Sequence, residues 1–173
     1  IPNYTLMPNY TFLWDNNHKN NSESIWEFNY VGWSVIGNWI PSQFIGSGWK
    51  KFETPTNDLV NTFRTEGDSI RLHASITFVN YGWSDPYWKD VNNYPILSKY
   101  NDPNNGTNDF YMIRLADIIL LRAEAYNAKG LTTNAGALVN LIRARVNLPP
   151  TTAVSQGDMA LAIEKERRLE LAF

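Results

Sequence analysis

A chain of 173 residues with 43% hydrophobic side chains is long enough for one domain with a substantial core and short for two domains of ordinary size. Lys and Arg number 15 against 17 Asp and Glu, a formal net charge of -2, without the clustered positive field that nucleic acid or an anionic membrane surface requires. Cysteine is absent, which removes a disulfide framework, a Cys-ligated metal and a thiol nucleophile together.

Aromatic residues reach 14%, with 7 Trp, 9 Tyr and 8 Phe, too many apolar rings for a disordered chain. No apolar run approaches the roughly 20 residues that span a bilayer as a helix. The chain opens on Ile1 without a charged-then-apolar leader and stops at Phe173 inside a helical pattern. A fragment cut at both ends is therefore expected.

In chain order, residues 22–31 alternate Ile25 and Glu27 against Trp26, Phe28 and Tyr30, the pattern of a half-buried strand. A Gly-rich stretch from Gly32 to Gly48 follows and carries Trp33, Trp39 and Phe44, with Trp49 just beyond it. It is too irregular for one strand or helix. Residues 54–63 predict a short helix with Thr54 at the N-cap, Pro55 in the first turn and Leu59 and Phe63 four apart. Residues 69–79 predict a strand, with Ile70, Leu72, Ala74, Ile76 and Phe78 on one side. From Tyr81 to Asn108 the chain is turn-rich, broken by Asp85-Pro86, Tyr94-Pro95 and Asp102-Pro103.

Near Tyr111 the composition changes, and three helical patterns follow: Ile113 to Lys129, Asn134 to Asn147 and Met159 to Phe173. Their short connections suit neighbours that pack antiparallel. Ala123, Tyr126, Gly130 and Ala135 fall at tetratricopeptide spacing. One such degenerate repeat cannot bury its own faces and needs neighbours. The side chains expected in the core are Ile118, Leu121, Leu138, Val139, Ile142, Leu169 and Phe173.

Several segments resemble one family. Residues 111–125, YMIRLADIILLRAEA, are similar to the "RyAEvlLmyAEA" helix of the SusD/RagB outer-membrane nutrient-binding lipoproteins. Residues 141–145 are similar to its "iRaRa" segment, and residues 163–173 to its "i..ERr.ELafEG.R" signature, cut before the Glu-Gly. Upstream, residues 23–27 resemble "EsIfe", and Pro55 to Phe63 with Asp68 and Arg71 resemble "pt.dLv.aF...D.R". Lys99-Tyr100 stands where the family has "KY" before the helices. Asp117 departs from the usual Glu, and the family's long N-terminal helical half with its lipidated Cys is absent from this sequence.

The resemblance implies a mainly α fold of the α-α superhelix type. Tetratricopeptide-like helices at 111–173 carry a loop-rich, weakly β portion at 1–110 draped over them, both parts of one SusD-like domain. It implies a surface-exposed outer-membrane lipoprotein that binds polysaccharide or oligosaccharide without catalysis, uses no cofactor, and delivers its ligand to a SusC-like TonB-dependent transporter. The implied partners are a glycan, that transporter and the remaining N-terminal half, with the lipid anchor outside this fragment.

The residues themselves name the candidate platform. A pyranose offers an apolar C–H face to an indole, while its hydroxyls require nearby amides or carboxylates. Trp33 and Trp39, beside Asn38, Ser42 and Gln43, form one candidate; Trp83 and Trp88, with Tyr81, Tyr87, Asp85, Lys89 and Asp90, form a second. Against this stands the possibility that the rings fill the core beneath long loops or meet a protein partner. A helical-repeat interaction scaffold without glycan binding is the alternative from another class.

Glu166 and Glu170 share a helix face and so invite a hydrolase reading, since a retaining glycosidase needs two carboxyls about 5 Å apart. Ion pairs with Arg167 and Arg168 account for them more simply. Arg143 and Arg145 extend the same basic stripe toward Glu124, Glu166 and Glu170. His18 and His73 are isolated and form no metal site on their own. The oxygens of Asp102, Asn104, Asn105 and Asn108 suit a Ca²⁺ site less well than an Asn-rich turn.

Overall fold

The computed structural model describes residues 3–44, 53–80, 93–100, 102 and 104–173. A 3-10 turn at Tyr10–Trp14 leads to strand β1 (Ser24–Phe28), helix α1 (Ile40–Phe44), α2 (Asn57–Glu66), α3 (Ser69–Ser75), β2 (Ile76–Val79), β3 (Tyr94–Leu97) and β4 (Phe110–Arg114). Helices α4 (Leu115–Ala128), α5 (Thr132–Arg145) and α6 (Gln156–Glu170) complete the chain. The fold is mainly α. Among the described residues the strands form only two antiparallel pairs, β1 with β4 and β2 with β3.

The three long helices form one layer. Ala116, Leu120 and Ala123 of α4 meet Ala135, Val139 and Ile142 of α5 and Met159 and Ile163 of α6 in a continuous buried cluster. The alanines let the helix backbones approach closely while the branched side chains fill the space between them. Gly130, at φ 73, reverses the chain between α4 and α5, a left-handed conformation that a Cβ would strain. The core face is rotated from the sequence expectation: Leu121 is exposed and Leu120 fully buried. Ile118, Leu138 and Phe173 are only partly buried, whereas Val139, Ile142 and Leu169 are core as expected. Helix α4 begins at Leu115 because β4 claims residues 110–114, and α6 ends at Glu170.

Two further corrections concern local structure. The α2 N-cap is Thr56, whose Oγ1 accepts from the Leu59 amide at 3.1 Å, so Pro55 precedes the helix. Residues 69–75 are helical, not extended. Asp68 caps them by accepting from the Arg71 amide at 3.1 Å. Ile70 and Ala74 face one apolar cluster while Leu72 and Ile76 face another. A helix buried on two sides therefore reads as period two. Only Ile76–Val79 is strand, paired in register with Leu97 to Tyr94.

Beneath the helices lies a network of buried charge. Arg71, fully buried, meets Glu166 at 2.7 Å, Glu170 at 3.0 Å and also Asp68. Arg114 and Arg145 both reach Glu23, at 3.0 and 2.6 Å, and both pair with Glu170. Arg143 joins Glu66 at 3.1 Å to Glu166 at 3.0 Å. The network joins the loop before β1 to α2, α3, β4, α5 and α6. The loop-rich portion is thus fastened to the helical layer through its carboxylates and guanidiniums. Lys99 and Tyr100 are buried beside it, the Lys99 ammonium 4.0 Å from the Trp14 ring centroid and donating to the Ala172 carbonyl.

Candidate functional site

The loop that leaves β1 carries the first aromatic candidate. Gly32, at φ 101, turns the chain so that the amides of Val31 and Gly32 both donate to the Ile36 carbonyl at 3.1 Å. This tight reversal lifts Trp33 and Trp39 to the surface. They are 42% and 63% exposed, and their ring centroids lie 4.6 Å apart at 51°. The two sequence candidates therefore form one open, angled aromatic pair.

Trp33 and Asn38 seat the pair on the turn at residues 104–109. The Trp33 Nε1 donates to the Asn104 carbonyl at 2.6 Å. The Trp33 ring lies flat against two glycines: a Cβ at Gly37 would fall 2.0 Å from it and one at Gly106 2.8 Å. Only hydrogen fits there. Asn38, 1% exposed, donates its amide N–H to the Gly106 carbonyl and its Nδ2 to the Asn108 carbonyl, both at 2.8 Å, and its Oδ1 accepts from Ile40 at 2.9 Å.

Asn38 is therefore scaffold rather than a hydroxyl-binding amide. Ser42 donates to the Trp39 carbonyl at 2.8 Å, and Gln43 donates to Ser42 at 3.2 Å. Among the described residues, Ser34 next to Trp33 and Asn104 and Asn105 on the turn that holds it have exposed polar side chains. Phe44 is half-buried at the end of α1. The second candidate, Trp83 and Trp88 with Tyr81 and Tyr87, lies outside the described residues, as does Trp49.

Sequence reasoning missed another exposed aromatic surface. On β1 the inward side carries Ile25 and Glu27, and the outward side carries Trp26 and Phe28, 52% and 47% exposed with centroids 5.8 Å apart. The alternation was legible, but alternation alone does not say which side faces water. A separate groove of about 700 Å³ runs between α4 and α6, lined by Glu124, Asn127, Gln156, Gly157, Ala160 and Arg167 among others.

The carboxylates do not form a reactive pair. Glu166 and Glu170 are fully buried and matched to Arg71, Arg114, Arg143 and Arg145. The expected partners Arg167 and Arg168 lie elsewhere, Arg167 on Asp117 at 2.8 Å and Glu124 at 3.2 Å, and Arg168 on Asp58. Burial alone would raise the Glu170 pKa, but the guanidiniums of Arg114, Arg145 and Arg71 outweigh it and hold the carboxyl well below its ordinary range. Such a group cannot act as a general acid near neutrality.

His18 stacks on Phe12 with centroids 4.3 Å apart, its Nδ1 2.7 Å from Asp15. Among the described residues no group of three or more His, Asp or Glu is placed to hold a metal ion. In the Asn-rich turn, Asp102 accepts from Asn105 at 2.7 Å and from Thr107, while Asn108 Oδ1 accepts from the Asp102 amide at 2.7 Å. Those oxygens close the turn.

Residues 77–173 match the model of the SusD family. Nearly all of the chain superposes on solved structures of that kind. A SusD superfamily protein from Bacteroides vulgatus gives a TM-score of 0.75 at 24% identity, over 98% of this chain and 41% of that one. A laminarin-binding SusD-like protein gives 0.73 at 30% identity, over 98% of this chain and 43% of that one. A SusD-like carbohydrate-binding protein from Bacteroides fragilis gives 0.76 at 20% identity, over 98% and 43%. The chain thus spans less than half the length of each. A search of curated protein sequences finds no match.

Proposed function

The chain belongs to the SusD family, and from that premise we propose that it captures polysaccharide or oligosaccharide at the bacterial cell surface without turning it over. The observation that carries the proposal is the angled Trp33–Trp39 pair, exposed to solvent and seated through Trp33 on a polar turn. Two indoles with centroids 4.6 Å apart offer apolar faces to adjacent sugar C–H surfaces, and the exposed side chains of Ser34 and, on the turn that holds Trp33, of Asn104 and Asn105 supply polar groups for hydroxyls. Trp83 and Trp88 complete the proposed set of contacts.

Capture without catalysis fits the charge arrangement, because Glu166 and Glu170 are neutralised in the core rather than poised in a cleft. In this proposal the bound glycan passes to a SusC-like TonB-dependent transporter, and the protein acts as a lipid-anchored outer-membrane component together with an N-terminal half. The 1–110 and 111–173 segments act as two parts of one domain, the first bearing ligand loops and the second the tetratricopeptide-like support. No helix among the described residues is long and apolar enough to cross a membrane.

Affinity electrophoresis across a polysaccharide panel tests the proposal, with retardation by at least one glycan expected. The groove between α4 and α6 favours the rival, a helical-repeat scaffold for protein partners, which predicts retardation by none. A hydrolase would release reducing ends on incubation, and none are expected.

A further inference from the structure

The platform loop, residues 31–39, has only a single isolated bridge of regular structure, between Gly32 and Ile36, so something beyond its own hydrogen bonds must fix where its rings stand. Asn38 secures its exit. The entry is secured by a side chain from a distant segment. The Lys19 ammonium donates to the Tyr30 carbonyl at 2.7 Å, to the Thr107 carbonyl and to Asp109 Oδ1 at 2.8 Å. Those are all three of its N–H donors. Asp109 is nearly buried and accepts again from the Tyr30 amide at 2.8 Å and, through Oδ2, from Asn29 at 2.7 Å.

One ammonium thus joins the last residues before the loop to the turn beneath it. That turn supplies Asn104, the acceptor of Trp33, and Gly106, the floor under its ring.

We infer that Lys19 is the positioning residue of the Trp33–Trp39 platform: it touches no ligand, and it pre-sets the angle at which the two indoles meet one. This rests on the glycan reading of the site. Its physical basis is that a loop held before binding does not have to be ordered by the ligand. Lys19 pairs with none of the carboxylates Glu23, Glu166 and Glu170 that fasten the helices. Its contacts are confined to the entry of the loop and the turn beneath it.

The test combines a ligand-free and a ligand-bound readout. Two tilted indoles in contact give a far-ultraviolet exciton couplet, defined by the difference between wild type and Trp33→Phe or Trp39→Phe. Lys19→Met should diminish that couplet and lower the urea midpoint by less than Glu170→Gln does, because Asp109 keeps the Tyr30 amide and Asn29 as donors, while Lys19→Arg should keep the couplet. Where Lys19→Met reduces the folded yield, Lys19→Gln removes the charge and retains two N–H donors.

With a polysaccharide that retards the wild type, Lys19→Met should weaken binding about tenfold. In a Trp33→Ala, Trp39→Ala background the same change should have no effect on residual binding. A full couplet in Lys19→Met, or an equal loss in that background, would overturn the inference. If no polysaccharide retards the wild type, the glycan reading fails, and the couplet still decides whether Lys19 sets the rings.

Discussion

Replacing Glu170 by Gln probes the buried network at a carboxylate where three ion pairs meet. Glu170 meets Arg71 at 3.0 Å and also Arg114 and Arg145, and it is fully buried. Removing one partner of a buried ion pair costs about 3–5 kcal/mol because the opposite charge is left desolvated. Here each guanidinium keeps another carboxylate: Arg71 retains Asp68 and Glu166, and Arg114 and Arg145 retain Glu23. The expected loss therefore lies at the low end, about 3 kcal/mol, still a large share of the roughly 5–15 kcal/mol that holds a domain folded. With a urea slope near 2 kcal/mol/M, the midpoint should fall by about 1.5 M. Asp58→Asn is the matched control. Its pair with Arg168 is 75% and 44% exposed on the two sides, and such pairs contribute less than about 1 kcal/mol. A Glu170→Gln midpoint within error of the Asp58→Asn midpoint would refute the claim that the network fastens the loop-rich portion to the helices.

Other outcomes follow from the same geometry. The Glu170 carboxyl is held below its ordinary pKa of 4.5, so its contribution is present above that value and is lost as pH falls below it; acid titration of the urea midpoint should show a steep decline that Glu170→Gln flattens. At the alkaline end, burial raises the Tyr10, Tyr100 and Tyr111 hydroxyls above their ordinary 10.0. Stability should decline above pH 10.0 as only the unfolded tyrosines ionise there. Ile142, fully buried among α4, α5 and α6, should cost about 2–5 kcal/mol as Ile142→Ala by urea denaturation. Gly37→Ala, placing a methyl 2.0 Å from the Trp33 ring, should displace the indole, shift its fluorescence and weaken polysaccharide binding, with a melting temperature close to wild type.

Much of the fold was legible because its signals are local. The helical periods after Tyr111 and the small residues Ala123 and Ala135 identified the hairpin of α4 and α5, and the alternation at residues 24–28 identified β1. What failed was decided by tertiary partners. Residues 69–75 have period-two apolarity because opposite sides of a helix face two cores. Leu120 rather than Leu121 is buried because α5 and α6 select the face. The charged residues were recognised as ion pairs, yet Arg71 and Arg114 are 99 and 56 positions from Glu170, a separation at which spacing carries no information.

The site shows the same division. Composition and glycine content marked Trp33 and Trp39, but only the fold brings the two rings into contact over the 104–109 turn. Lys19 gave no signal at all, since its acceptors at Thr107 and Asp109 lie 88 and 90 positions away. Asn38 looked like a hydroxyl partner because its residue type is right, and burial makes it a brace instead.

The central claim is that this loop captures glycan through its two indoles. Isothermal titration of a polysaccharide that retards the wild type, repeated with the Trp33→Ala, Trp39→Ala variant, tests it most directly. Loss of each stacking ring should weaken binding by about 1–3 kcal/mol, so the double variant should bind at least tenfold more weakly at an unchanged melting temperature. Equal affinity in the two proteins, or unfolding of the variant, would contradict the account.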